Sequence, residues 1–268
     1  MKAVCAVSHD IDERIFTMSQ KFNAILLDLD GTLVNTLYSL QDTMNKALER
    51  FGFDPVSLEQ TKKYVGIGSH RFVERSVEAT ADRLYREAEK WEEKDEDKAF
   101  DLDQQADEVM EQIDDVHEAY MEIFRENCIF KAEPYPGMKE SLDALKKKGW
   151  KVACITNKPM AEAVVVLDHA FGEGYFDYIS GDDGTHPLKP DTGVVDDTLN
   201  HIGCKKETCI YVGDTNTDME TAKRAGIKSI GCLYGFRDKR ELEEAGADVL
   251  IKSAEDLEKA IEYIETAM

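Results

Sequence analysis

The sequence is short of basic residues. Lys and Arg total 33 against 55 Asp and Glu, a formal net charge of −22. A chain so acidic lacks the basic surface that nucleic acid or an anionic membrane requires, so neither is an expected partner. A phosphate site stays open, because one local cation or metal can dominate its own surroundings. No apolar run approaches the roughly 18 residues of a membrane span. The N-terminal segment is apolar only from Ala3 to Val7 before turning acidic, so it does not read as a signal peptide. None of the six cysteines forms a C-x-x-C pair, and Cys154 and Cys209 sit in apolar runs. Reduced thiols in a cytoplasmic protein are therefore expected, rather than disulfides or a zinc site. Internal repeats and low-complexity linkers are also missing, and 268 residues fit one or two domains.

What is present is a change of rhythm. Residues 1 to 21 lack strong periodicity and are open to three readings: an extra strand, a leader, or sequence ahead of a start at Met18. Ala24 to Leu27, in "AILLDLDGTLVNT", is a buried strand that ends at acidic residues and a glycine. From Leu37 to Phe51 the apolar residues Leu37, Leu40, Met44 and Leu48 fall at helical steps, with Asn35 or Thr36 as cap. Residues 58 to 130 are mostly helical, with few glycines and no proline. Within them Glu87 to Glu108 is strongly acidic and reads as a solvated helical face or a mobile insertion. Its "DEDKAFDLD" lacks the glycine and terminal Glu of a calcium loop.

"EPYPGM", Glu133 to Met138, is a breaker and a hinge. After it, strands alternate with helices. Strands are expected over 151–155, 176–179, 209–212, 229–232 and 247–251. Helices are expected over 139–148, 160–170, 193–201, 219–225, 239–245 and 254–266. This alternation implies βαβ units and a parallel sheet. The fold class is α/β: a Rossmann-like parallel sheet core with an inserted α-helical cap domain. The core would be residues 1–36 and 134–268, and the cap 37–133.

Ligands in such a sheet bind beyond the carboxyl ends of the strands. Asp28, Asp30, Gly31 and Thr32 follow the first strand. Thr156, Asn157 and Lys158 follow the second. Lys189 lies past the third, in "HPLKPD", and Gly213, Asp214, Thr215 and Asp218 follow the fourth, in "YVGDTNTD". Clustered carboxylates repel one another unless a cation compensates them. Oxygen ligands favour a hard cation, and Mg²⁺ suits one or two carboxylates with a phosphate and waters. An Asp carboxylate can attack phosphorus, and a second Asp two residues along a strand points to the same side, placed for acid and base work.

The set "DLDGT", "ITN", "LKP" and "GDTNTD" resembles the haloacid dehalogenase-like phosphohydrolase superfamily, over most of the α/β portion. Within it, "YVGIGSHRFVERSV", Tyr64 to Val77, and "TNKP" are most similar to the phosphoglycolate phosphatase group. The resemblance implies Asp28 as nucleophile and Asp30 as general acid and base. It implies Thr156, Asn157 and Lys189 at the phosphoryl group. It implies Mg²⁺ held by Asp28, Asp214 and the carbonyl of Asp30, with Asp218 a further metal-site carboxylate or the residue that orients Lys189. The substrate would be a small phosphorylated metabolite, with 2-phosphoglycolate first. A phosphosugar mutase of the β-phosphoglucomutase type, a pyrophosphatase or nucleotidase, and a non-catalytic member are the rivals. The enzyme would be a monomer or homodimer. Asn35 stands where the family usually has Asp, and Thr192 where a second proline is common. Arg71 and Arg75 could meet a substrate carboxylate, but nearby Glu74 and Glu78 make solvated ion pairs the favoured reading. His186 reads as a loop residue, and Trp91 as a packing anchor.

Overall fold

The computed structural model describes residues 21–267. The three readings of the N-terminal segment, Met18 and Cys5 included, lie outside them. Six strands form one parallel sheet: β1 (Ala24–Leu27), β4 (Lys151–Pro159), β5 (Tyr178–Asp182), β6 (Cys209–Gly213), β7 (Lys228–Cys232) and β8 (Val249–Ile251). Their order is β5-β4-β1-β6-β7-β8. The first strand is thus internal, and later strands are added on both of its sides. That reversal makes the carboxyl ends of β4, β1 and β6 a crevice at a topological switch point.

The side-chain period of two splits the strands between two cores. Ile25, Leu27, Val152, Cys154, Ile210 and Val212 pack on one face with Leu142, Leu145, Leu257 and Ile261. Ala24, Leu26, Ala153, Ile155 and Tyr211 pack on the other with Val195, Leu199 and Ala222. Covering helices are α6 (Met138–Lys147), α7 (Met160–Phe171), α8 (Gly193–Ile202), α9 (Asn216–Ala225), α10 (Lys239–Ala245) and α11 (Leu257–Ala267). Strands covered on both faces read as continuous apolar runs, which is why "AILL" shows no alternation.

Between β1 and β4 the chain builds α1 (Leu37–Arg50), α2 (Leu58–Tyr64), α3 (Ser69–Ala88), α4 (Glu96–Glu111) and α5 (Ile113–Asn127). Leu37, Leu40, Met44 and Leu48 are buried, as their spacing predicts. Tyr120 is the centre of this layer, edge-on to Phe72 at 5.8 Å and stacked on Phe124 at 5.2 Å. Burying each such aromatic stabilises by roughly 1.5–3 kcal/mol. The acidic stretch ends α3, turns, and forms α4, which buries only Ala99, Ala106 and Val109. Trp91 is half-buried, with the Lys98 ammonium 3.5 Å from its ring centroid.

Several expectations are adjusted. The segment around Glu133 is not only a breaker: β3 (Glu133–Pro134) pairs antiparallel with β2 (Val34–Asn35), joining the two crossings into the helical layer. β4 continues through Thr156 and Asn157 to Pro159, because Pro159 regains pairing with Asp182 after a register shift. β5 and β8 begin two residues later than expected, at Tyr178 and Val249. α9 begins at Asn216, since Thr215 caps it. Ala254–Asp256 is a separate 3₁₀ turn. At the start of α1 the Asn35 carboxamide oxygen accepts the Leu37 N–H at 3.3 Å, while the Thr36 hydroxyl donates elsewhere, to Asp30.

Candidate active site

Asp28 is the first residue beyond β1, and its N–H donates to the Val212 carbonyl at 3.0 Å. Asp214 is the first beyond β6. Thr156 and Asn157 lie in the last part of β4, and Lys189 comes from the loop between β5 and α8. With β1 between β4 and β6, three strand ends bring these residues together although they lie far apart in sequence.

Lys189 is at the centre. Its ammonium donates to Asp218 Oδ1 at 2.7 Å, to Asp28 Oδ1 at 2.8 Å, to the Ile155 carbonyl at 3.0 Å and to the Tyr211 hydroxyl at 3.2 Å. Burial alone would lower the pKa of this lysine, but the facing carboxylates of Asp218 and Asp28 hold it well above the ordinary value. Burial pushes the Asp28 carboxyl up to about 7; Lys189 pulls it back and Asp218 adds to the rise. Burial, then the charges of Asp28 and Asp218, raise Asp214 well above the usual carboxylate range. Two groups fix Asp214: the Thr32 hydroxyl at 3.1 Å and the Phe236 N–H at 2.7 Å. Gly31 and Gly235 press so close to this carboxylate that a Cβ at either would overlap it.

Asp218 is fully engaged. One oxygen takes Lys189, and the other accepts the Thr215 hydroxyl at 2.6 Å and the Thr215 N–H at 3.1 Å, in the capping box of α9. Of its two sequence readings, orientation of Lys189 is the one this geometry serves. Asp30 faces elsewhere: its Oδ1 accepts the Thr36 hydroxyl at 2.6 Å and the Lys158 ammonium at 2.9 Å. Its carboxylate therefore stands apart from the cluster of Asp28, Asp214 and Asp218, whose oxygens lie within 4.8 Å of one another. The resemblance assigns the metal to the main-chain carbonyl of Asp30, which needs no carboxylate there.

Thr156 Oγ1 accepts the Lys158 N–H at 3.2 Å and keeps its own proton to donate. Asn157 holds backbone instead. Its amide nitrogen donates to the carbonyls of Gly66 and Lys189, both at 3.1 Å, and its oxygen accepts the Lys189 N–H at 2.8 Å. Its side chain so ties the lysine loop to the helical layer and has no hydrogen-bonding group aimed at a ligand. Arg71 pairs with Glu74 and Glu78, Arg75 donates to the Lys63 carbonyl at 3.1 Å, and His186 stands 3.8 Å from Asp197.

Sequence reasoning gave no role to Lys158, whose side chain is 1% exposed, or to Arg237. Arg237 reaches from the loop after β7 to the carbonyls of Lys62, Lys63 and Val65, the last at 2.9 Å. It pins the C-terminal end of α2 to the sheet domain. Lys158 carried a signal, its place at a strand end. Arg237 carried none.

The helical layer roofs these groups. A cleft has Asp28, Asp30, Thr156, Lys158 and Lys189 in its floor and Ser69, Phe72, Tyr120 and Phe124 in its roof. The floor fits a hard cation. Three oxygen ligands converge, the Asp28 and Asp214 carboxyls are raised by burial and then by neighbouring carboxylates, and one lysine is too little charge for three carboxylates. Since Asp218 already binds Lys189 and Thr215, Asp28 and Asp214 are the side chains that would hold the ion.

Residues 25–232 match the family model described as haloacid dehalogenase-like hydrolase. The chain is 31% identical over 216 residues to the phosphoglycolate phosphatase of Aquifex aeolicus, across 79% of this chain and 85% of that protein. It is 28% identical over 233 residues to phosphoglycolate phosphatase 1 of Pseudomonas aeruginosa, across 87% of this chain and 77% of that protein. The crystal structure of a predicted phosphoglycolate phosphatase from Haemophilus somnus superposes with a TM-score of 0.74 at 25% identity, covering 90% of this chain and 98% of that one.

Proposed function

Because the chain belongs to the haloacid dehalogenase-like hydrolase family and is a phosphatase of phosphoric monoesters, we propose that it hydrolyses 2-phosphoglycolate through a phosphoryl-enzyme on Asp28. The observation that carries this reading is the buried Asp28 carboxylate at the cleft floor. It lies 2.8 Å from Lys189, with Asp30 two residues on beside the same space.

Asp28 attacks phosphorus, forming the Asp–O–P bond as the ester P–O bond breaks. Lys189 and the Thr156 hydroxyl hold the phosphoryl oxygens, an electrostatic role strengthened by burial. Asp30 gives its proton to the departing ester oxygen, which leaves as the alcohol. It then takes a proton from a water, whose oxygen attacks phosphorus and breaks the Asp–O–P bond, releasing inorganic phosphate. Asp28, Asp214 and the Asp30 carbonyl would hold Mg²⁺, which would supply positive charge to offset the carboxylates and polarise the phosphoryl group. Residues 37–133 act as a cap over the cleft, keeping bulk water from the intermediate. The five cysteines of the described region are unpaired, which supports a reducing, cytoplasmic setting.

Phosphate release from a panel tests the reading: 2-phosphoglycolate, β-glucose 1-phosphate, pyrophosphate, nucleoside monophosphates and p-nitrophenyl phosphate, each with Mg²⁺ and with EDTA. The expected result is Mg²⁺-dependent release, with kcat/KM for 2-phosphoglycolate about tenfold or more above the others. Isomerisation of the sugar phosphate without phosphate release would replace the reading with a mutase.

A further inference from the structure

The cleft is lined by two lysines among the described residues. Lys189 is committed to Asp28 and Asp218. Lys158 is not committed in this way. Its side chain is 1% exposed, it lies with its ammonium 4.6 Å from the centroid of the Phe124 ring, and the hydrogen bonds of its Nζ go to the two oxygens of Asp30, at 2.9 and 3.3 Å. Lysines are rarely buried unless paired, and an ammonium has three protons to give. The Thr36 hydroxyl also holds Asp30, on the Oδ1 that Lys158 meets, at 2.6 Å.

We infer that Lys158 reads the far end of the substrate: its ammonium binds a carboxylate carried one carbon from the ester oxygen, so the substrates are short phosphorylated hydroxy acids. This rests on the phosphoryl transfer proposed above. Asp30 serves the ester oxygen, so an ammonium touching Asp30 lies beside the first substituent on that oxygen. Around it the roof is mostly apolar, with Leu40, Phe72, Tyr120 and Phe124 beside Ser69. Among the described residues the other lysine lining the cleft is Lys189, already held by Asp28 and Asp218, and an ion pair against these rings is stronger than one in water. A bulky neutral substituent would instead leave the ammonium facing apolar surface.

The test compares wild type and Lys158→Met on 2-phosphoglycolate and on ethyl phosphate, its counterpart without the carboxylate. Calorimetry adds the inert phosphonates 3-phosphonopropionate and propylphosphonate, with thermal melting to confirm folding. Lys158→Met is expected to lower kcat/KM for 2-phosphoglycolate on the order of 10- to 100-fold more than for ethyl phosphate. It should weaken 3-phosphonopropionate by a similar factor and propylphosphonate far less. Lys158→Arg, which keeps the charge, should recover part of both losses. Equal losses for compounds with and without the carboxylate would overturn the inference, reducing Lys158 to a positioning residue for Asp30. Wild-type enzyme that handles ethyl phosphate as well as 2-phosphoglycolate would overturn it too. Release of phosphate from neither ester would count against the transfer at Asp28. The phosphonates then decide alone: a Lys158-dependent preference for 3-phosphonopropionate supports the inference, and its absence overturns it.

Discussion

Asp28→Asn is expected to abolish turnover, on the order of 10⁴-fold or more, while making the metal-free protein more stable at alkaline pH. The activity loss follows from the role of the side chain: a carboxamide oxygen is too weak a nucleophile to open a phosphate ester. The stability gain follows from burial. The folded protein raises this carboxyl from 3.8 to about 7. A raised folded pKa contributes stability that is complete below the unfolded value and is lost as pH rises through the folded one. The window runs from about pH 4 to about pH 7, and at pH 8 the folded chain holds an ionised carboxylate it would rather keep protonated. Asparagine removes that charge, so a gain of roughly 2–4 kcal/mol is expected at pH 8 in EDTA, fading towards pH 4. Denaturant melts at both pH values check it, and a variant less stable than wild type at pH 8 would contradict it. Mg²⁺ should stabilise wild type more at pH 8 than at pH 6, because its carboxylate ligands must first lose their protons.

Lys189→Met is expected to act in the opposite direction. The ammonium sits between Asp28 and Asp218, both buried. Removing it leaves two carboxylates facing each other with no cation, and breaking a buried pair by deleting one partner costs about 3–5 kcal/mol. Activity should fall with it, since the phosphoryl group loses its cation. The loss of stability should be largest near pH 8 and shrink on acidification, as the stranded carboxylates take up protons. A loss under about 1 kcal/mol at pH 8 would show that the pair is not the electrostatic centre of the site. Asp28→Asn combined with Lys189→Met should recover part of the loss, because the two residues share one interaction.

The legible parts of this molecule are those where one residue type answers one physical demand. "AILL" followed by Asp28 reads as a buried strand reaching a site, because fully covered parallel strands are apolar throughout. Leu37, Leu40, Met44 and Leu48 mark a helix face by spacing alone. Asp28, Thr156, Lys189 and Asp214 could be placed together because chemistry gathers at strand ends, whatever the details of packing. What escaped depends on tertiary partners. A buried lysine has no spelling that distinguishes it from a solvated one, so Lys158 was noted and given no role. The β2–β3 ribbon is two residues long on each side and carries no period. The resemblance places Asn157 at the phosphoryl group, and only the fold shows that its amide holds the backbone of Gly66 and Lys189. Arg237 meets carbonyls more than 170 residues away, a pairing no local pattern records.

The most direct measurement of the central claim is to catch the phosphoryl group on the enzyme. Wild-type protein mixed with 2-phosphoglycolate and Mg²⁺ would be quenched in acid within one turnover, reduced with borohydride, digested and sequenced by mass spectrometry. A phosphoryl-aspartate is reduced to homoserine, and homoserine is expected at position 28 in wild type and none in Asp28→Asn. Homoserine at another position, or none at all in an enzyme that is turning over, would contradict it.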